Sequence, residues 1–219
     1  MTAADPAHPN AAAPHGLRRS ALWGAVLPAS FYSRDVLTVA RALLGTVVVH
    51  DAPDGLVAGR VVETEAYAGR DDEASHAWRG ERPHLRHLFG PPGTVYVYRS
   101  YGVHWCANVV TGPPAHGSAV LLRALEPIAG LPIMRRRRGA VVDRQLCNGP
   151  GKLCAALAVD RTSDGAHWTR GALTLHRGAT LPDDAIATTR RIGISKAVAE
   201  PWRFTVRGSA WLSRREGSG

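Results

Sequence analysis

The sequence predicts an α+β fold, one domain built around a mainly antiparallel β-sheet with flanking helices. Three observations lead there. Runs rich in β-branched and aromatic residues come in neighbouring pairs joined by short Gly, Pro and Asp turns. Helical periodicity is confined to a few short stretches, and strands and helices do not alternate as they would in a doubly wound parallel sheet. At 219 residues and 45% apolar content, the chain has the length and composition for a single domain with a substantial core.

Taken in order, residues 1–26 are mostly Ala, Pro and isolated polar residues without periodicity, the composition of a flexible tail. The folded domain is expected over 27–213, with 214–219 as a short C-terminal tail. Ser33 reads as a helix N-cap with Asp35 in the first turn, because Val36, Val39, Ala40, Leu43 and Leu44 follow at helical spacing and Gly45 ends the run. A strand over Thr46 to His50 leads through the turn Asp51 to Gly55 into a second strand, Arg60 to Tyr67. Residues 69–93, rich in Gly, Pro and charge, read as a long loop of the functional kind. Thr94 to Tyr98 and Val103 to Val110 form the next predicted hairpin, with Tyr101 at its tip. Gly117 to Leu125 is a further strand, Pro127 is expected to open a helix ending in Arg135 to Arg138, and a short helix follows Gly149-Pro150-Gly151. The C-terminal third alternates strands with Gly/Pro turns up to Trp211.

A net charge of +9 suits a polyanionic partner, nucleic acid or an anionic membrane surface. All but two of the cationic side chains, Lys152 and Lys196, are Arg, whose planar fork binds phosphate oxygens in pairs. No apolar stretch approaches the roughly 20 residues of a membrane span, and no early basic segment precedes an apolar run as in a secretory signal. The expected location is therefore the cytoplasm, in association with the nucleoid. Cys106, Cys147 and Cys154 are an odd number without a CxxC pair, which points to buried thiols rather than to a disulfide framework or a zinc knuckle.

Strand alternation places Glu63, Glu65 and Tyr67 on one face of their strand. That face is either a cleft wall, with one carboxylate as general base and the other in an ion pair, or a solvated sheet surface. Tyr96 and Tyr98 share a face of the next strand, and His104, Cys106 and Asn108 share one of its partner. They can build a pocket that stacks on a planar base, or an ordinary half-buried sheet. Tyr101 has little core to join at a turn tip, so it suits insertion into a partner. Gly149-Pro-Gly-Lys152 lacks the first Gly and the Ser/Thr of a phosphate loop, which excludes nucleotide hydrolysis by that motif. The loop histidines lack an HExxH pattern, so no metal site is expected. The Arg135 to Arg138 run is either a solvated helix face or a phosphate contact.

Six blocks then stand in order: Val-Val-Glu-Thr-Glu-Ala-Tyr (61–67), Ser-His (75–76), Gly-Pro-Pro-Gly-Thr-Val-Tyr-Val-Tyr (90–98), Tyr-Gly-Val-His-Trp-Cys-Ala-Asn (101–108), Val-Leu-Leu-Arg-Ala-Leu-Glu-Pro (120–127) and Gly-Pro-Gly-Lys-Leu-Cys (149–154). Together they closely resemble the 3-methyladenine DNA glycosylase family of the alkyladenine (N-methylpurine) type, from about Phe31 to Ser213. The resemblance implies a compact domain with a curved antiparallel sheet, no metal and no cofactor. It implies double-stranded DNA containing damaged purines as partner, and action as a monomer away from membranes. By position, Glu65 matches the general base that deprotonates a water, and Arg123 the arginine that helps place that water and the nearby phosphate. Tyr67, His76 and Tyr98 match the residues that sandwich and bond an extruded base. Asn108 matches the amide that crowds the exocyclic amine of guanine, and Tyr101 the wedge that fills the gap in the stack.

These roles are physically coherent. Reaching a base inside a duplex costs a few kcal/mol of unstacking, less for a damaged base, and stacking plus wedge insertion offset it. A carboxylate beside the sugar both stabilises an oxocarbenium-like transition state and activates water. No lysine is expected in the active site, so a monofunctional enzyme leaving an abasic site is expected, acting on 3-methyladenine, 7-methylguanine and also hypoxanthine or ethenoadenine. The alternative is a damaged-DNA binder without catalysis. One departure stands out: where the family usually has an Arg-Asn pair and then Met-Phe, this chain has His84-Leu85 and then Leu88-Phe89.

Overall fold

The computed structural model describes residues 23–214. Among them are four helices, α1 (Ala29–Tyr32), α2 (Val36–Ala42), α3 (Leu131–Arg138) and α4 (Pro150–Leu157). Eight strands, β1 (Val47–Ala52), β2 (Gly55–Tyr67), β3 (Val95–Ser100), β4 (His104–Thr111), β5 (Ser118–Ala129), β6 (Leu173–His176), β7 (Ile186–Thr189) and β8 (Arg203–Val206), form one open sheet. Its order is β3-β4-β5-β2-β1-β6, with β8 bridging β2 and β7, and every pairing is antiparallel. The predicted α+β class therefore holds.

The side-chain period of two divides this sheet into two working faces. One face, through Val61, Val97, Val109 and Leu122, packs against α1, α2 and α4 to make the main core around Tyr32 and Trp168. The other, through Tyr96, Val110 and Ala119, meets Ala77, Leu85, Leu88 and Phe89 of the 69–93 segment. That segment is thus a loop with its own small core. Leu85 and Leu88, at the place of the family departure, are both buried there, and the adjacent His87 donates from Nδ1 to Asp164 at 2.7 Å. Apolar packing and this hydrogen bond tie the loop down.

β2 is the strand that positions the site. Its first half pairs with β1 and its second half with β8, and its pairing with β5 slips register between Val61 and Thr64 as the neighbour changes. A bulge of this kind bends the strand and raises its twist, which re-aims the side chains that follow, Glu63 and Glu65.

Several boundaries differ from the sequence reading. The N-cap of α2 is Asp35, not Ser33: its carboxylate accepts from the Leu37 and Thr38 amides, while Ser33 closes the separate turn α1. An Asp two residues on competes for the same free N–H groups and carries a charge that suits them. Pro127 does not open a helix; β5 runs through it to Ala129, and α3 begins at Leu131 after Gly130 turns at φ 73°. Proline is tolerated because β4 pairs with β5 only as far as Leu121, which leaves position 127 on a free edge where no N–H is needed. Gly24, Ala25 and Val26 already pair backbone with His176 and Arg177 at the end of β6, so order begins before Leu27; residues 1–22 of the expected tail, and 215–219, lie outside the described residues.

The arginine run of α3 is a solvated face in its first half, where Arg135 and Arg136 are exposed, and half-buried at Arg137 and Arg138. Arg135 pairs with Asp143, Arg137 with Asp54 and the Ala156 carbonyl, and Arg138 with the Leu146 carbonyl. Three of the four heads tie the helix to its own chain.

Candidate active site

A cleft of about 590 Å³ opens on the second face of the sheet. Its floor comes from adjacent strands: Tyr96 and Tyr98 of β3, Cys106 and Asn108 of β4, Leu121 and Arg123 of β5, and Tyr67 at the end of β2. Register aligns them, with Tyr96 opposite Asn108, Asn108 opposite Leu121, and Leu121 opposite Glu65. The side walls are Glu73 to His76 and Ile192 to Lys196, and Tyr101 stands at the rim.

Aromatic rings dominate the interior. The Tyr96 and Tyr98 rings stack at 5.7 Å, the His76 ring meets Tyr98 edge-on at 4.4 Å, and His76 Nδ1 shares a 2.9 Å hydrogen bond with the Tyr96 hydroxyl. Burial, and then the charge of His84, lower the His76 pKa below the usual imidazole value, so its ring is neutral near pH 7. Burial raises the phenols of Tyr96 and Tyr98. The Asn108 amide donates to the Tyr96 carbonyl at 3.1 Å and is nearly enclosed.

The two acids are not solvated; Glu63 and Glu65 are each 0% exposed. Glu63 is the structural member of the pair, accepting from Arg123 Nε at 3.1 Å, Arg203 Nε at 2.8 Å, and the Ser213 amide and hydroxyl at 2.6 and 2.7 Å. Glu65 accepts on Oε2 from the Tyr67 hydroxyl at 3.0 Å and Arg123 at 3.1 Å, and on Oε1 from the Ile192 amide at 2.7 Å. Those three donors all belong to residues that line the cleft, so the carboxylate lies directly behind its wall. Desolvation, then the Glu65 charge, push the Tyr67 phenol far above its ordinary value and keep its proton in place. Burial alone would lower Arg123, but Glu65 and Glu63 hold it above its ordinary value.

Six of the seven residues singled out from the sequence, Tyr67, His76, Tyr98, Tyr101, Asn108 and Arg123, line this cleft, and the seventh, Glu65, is joined to it through hydrogen bonds. His104, at the start of β4, is exposed and lies against Gly151 of α4. Tyr96, Cys106 and residues 192–196 are additional lining. Lys196 corrects the expectation that the site holds no lysine: it lines the cleft, on an exposed stretch. Among the described residues, no group of three or more His, Cys, Asp or Glu is placed to hold a metal ion, and no helix is long and apolar enough to cross a membrane.

Tyr101 is 90% exposed and has φ 50°, a left-handed conformation that costs a bulky residue roughly 1–2 kcal/mol. No packing compensates for it. The Tyr101 ring is thus directed outward from the mouth of the cleft, away from the core.

A ring-lined cleft with a buried carboxylate–arginine pair behind it, on a strongly basic chain, has the make-up of a site for a planar group carried by a polyanion. The sequence model of the methylpurine-DNA glycosylase family matches residues 30–210. Relatives carrying the provisional name 3-methyladenine DNA glycosylase include one from Agrobacterium fabrum, 51% identical over 191 residues, covering 86% of this chain and 93% of the relative. Another, from Methanoculleus marisnigri, is 47% identical over 192 residues, covering 86% of this chain and 99% of the relative. The chain belongs to the methylpurine-DNA glycosylase family. As a member it is a hydrolase of the N-glycosidic bond, acting on DNA in base-excision repair.

Proposed function

We propose that this glycosylase everts a damaged purine from double-stranded DNA into the ring-lined cleft and hydrolyses its glycosidic bond with a water activated by Glu65, leaving an abasic site. The observation that carries this reading is the placement of the Glu65 carboxylate, joined at once to Tyr67, Arg123 and Ile192 of the cleft wall. A carboxylate offers about four acceptor positions. Three are taken, and the fourth, on Oε1, is the place for the water. Since Glu65 has no contact with solvent here, a water reaches it only when the cleft wall around it moves.

The ring chemistry fits alkylated purines. Methylation at N3 or N7 makes the base cationic and a better leaving group, and the faces of Tyr67 and Tyr98 attract a cation. The neutral His76 ring adds no repulsion. Asn108, pinned to the Tyr96 carbonyl, is fixed where it can crowd an exocyclic amine. The protein is proposed to work as a monomer on nucleoid DNA in the cytoplasm.

The test is chromatographic detection of free base from duplexes carrying 3-methyladenine, 7-methylguanine, hypoxanthine or ethenoadenine. Release from the cationic pair is expected. Silence on all four would leave only a binder.

Two further outcomes follow from the rim. Tyr101→Ala should weaken binding to lesion duplex about 10-fold, an intercalated aromatic being worth roughly 1–3 kcal/mol, with little change for single strands. Equal losses on both would remove the wedge. Lys196 lies exposed, without the desolvation that activates amine nucleophiles, so borohydride should trap no covalent protein–DNA adduct. A trapped adduct that disappears in Lys196→Ala would make the enzyme a lyase as well.

A further inference from the structure

Arg191 is a buried cation that the proposed chemistry does not use. Its Nη1 donates to the Ala66 carbonyl at 3.0 Å and to Asp72 at 2.5 Å, and its Nη2 donates to Asp72 at 2.9 Å and to the Ala197 carbonyl at 3.3 Å. Both side chains of the ion pair are 0% exposed. The guanidinium plane is also held between two rings, 4.8 Å from the centre of Tyr67 and 4.9 Å from that of Trp202. Its Nε, buried as well, has no partner among the described residues.

An ion pair of this kind is a poor source of stability, because apolar side chains of the same volume often do as well or better, and the orphaned N–H adds a further cost. What it supplies is geometry. Its contacts fall on three different parts of the cleft: the end of β2 that carries Tyr67, the stretch from Asp72 to His76, and the 191–197 segment whose Ile192 amide holds Glu65. With its rear face against Arg191 and its hydroxyl on Glu65, Tyr67 has one face left for a base.

We propose that Arg191 is the positioning residue of the base cleft: gripping three wall segments at once, it sets the plane of Tyr67 and the reach of the Ile192 amide to Glu65. The proposal rests on the glycosylase reading for its catalytic consequence but not for its structural one. It makes the 191–197 segment a clasp whose closed state is fixed by Arg191.

The experiment compares wild type with Arg191→Met/Asp72→Asn, which removes both charges together and keeps one acceptor oxygen for the Ala74 amide, while the Ala68 amide that Asp72 also binds gives up its weaker 3.2 Å bond. Arg191→Lys is the second variant; it keeps a charge opposite Asp72 but has neither the fork nor the flat stacking surface. Each is read by melting temperature, by kcat and KM on a 7-methylguanine duplex, and by hydrogen exchange at the Ile192 amide. The expected result is a double variant that melts within a few degrees of wild type, yet loses about 100-fold in kcat, the scale of a misplaced catalytic group, and exchanges faster at Ile192. Arg191→Lys should show the same two losses to a smaller degree. If either folded variant keeps wild-type kcat and wild-type protection at Ile192, the proposal is overturned. A wild-type protein that releases no base overturns the glycosylase reading instead, while exchange at Ile192 still decides for or against Arg191.

Discussion

Glu65→Gln should abolish most base release while leaving the affinity for lesion duplex within a few-fold of wild type. Glutamine keeps the shape and one acceptor oxygen, so Tyr67 and Arg123 retain a partner. What is lost is the ability to take a proton from water. General-base catalysis is worth about 10²–10⁴-fold, and the single-turnover rate should fall by that amount. Because the amide turns an N–H₂ group toward one of the three donors around position 65, some loss of stability accompanies the change. Rate and melting temperature therefore need to be measured on the same sample. A variant that cleaves at the wild-type rate would move the base elsewhere.

Glu63→Ala should have the largest effect on stability. Glu63 collects four hydrogen bonds from Arg123, Arg203 and Ser213, and so joins β2, β5, β8 and the C-terminal residues at a point sealed from water. Its removal leaves two buried guanidinium groups facing each other with only Glu65 to balance them. Breaking a buried pair by deleting one partner costs about 3–5 kcal/mol. In a chain of this size each kcal/mol is worth about 2–4 °C, so the melting temperature should drop by about 6–20 °C in a thermal scan. A drop under about 2 °C would mean that the network is replaceable by water. Glu63 and Glu65 thus stand two residues apart on one face with opposite duties, one fixing Arg123 and the other facing the cleft through it.

That shared face was legible in the sequence, since alternation along a strand depends only on local geometry and survived the bulge at Val61 to Thr64. The same holds for the β3–β4 hairpin and for Tyr101 at its tip. Whether the acid face was wet or sealed was not legible. The groups that seal it, Arg203 and the Ile192 amide, arrive from 140 and 127 residues further along the chain. Arg191 and Asp72 stayed invisible for the same reason, at a separation of 119 residues. The reading of Pro127 as a helix start failed differently: a residue-level preference was overruled by its place on an unpaired sheet edge. Ordered motif blocks found the cleft residues, but the arginine that holds the cleft together fell outside them.

The central claim is that an everted purine occupies this cleft with Glu65 at its sugar. The crystal structure of Glu65→Gln bound to a 7-methylguanine duplex tests it most directly. The account predicts the lesion outside the helix, its ring between Tyr67 and the His76–Tyr98 pair, Tyr101 in the vacated stack, and a water in contact with position 65 on the C1′ side. A lesion still paired within the duplex, or an everted base bound away from position 65, would contradict it.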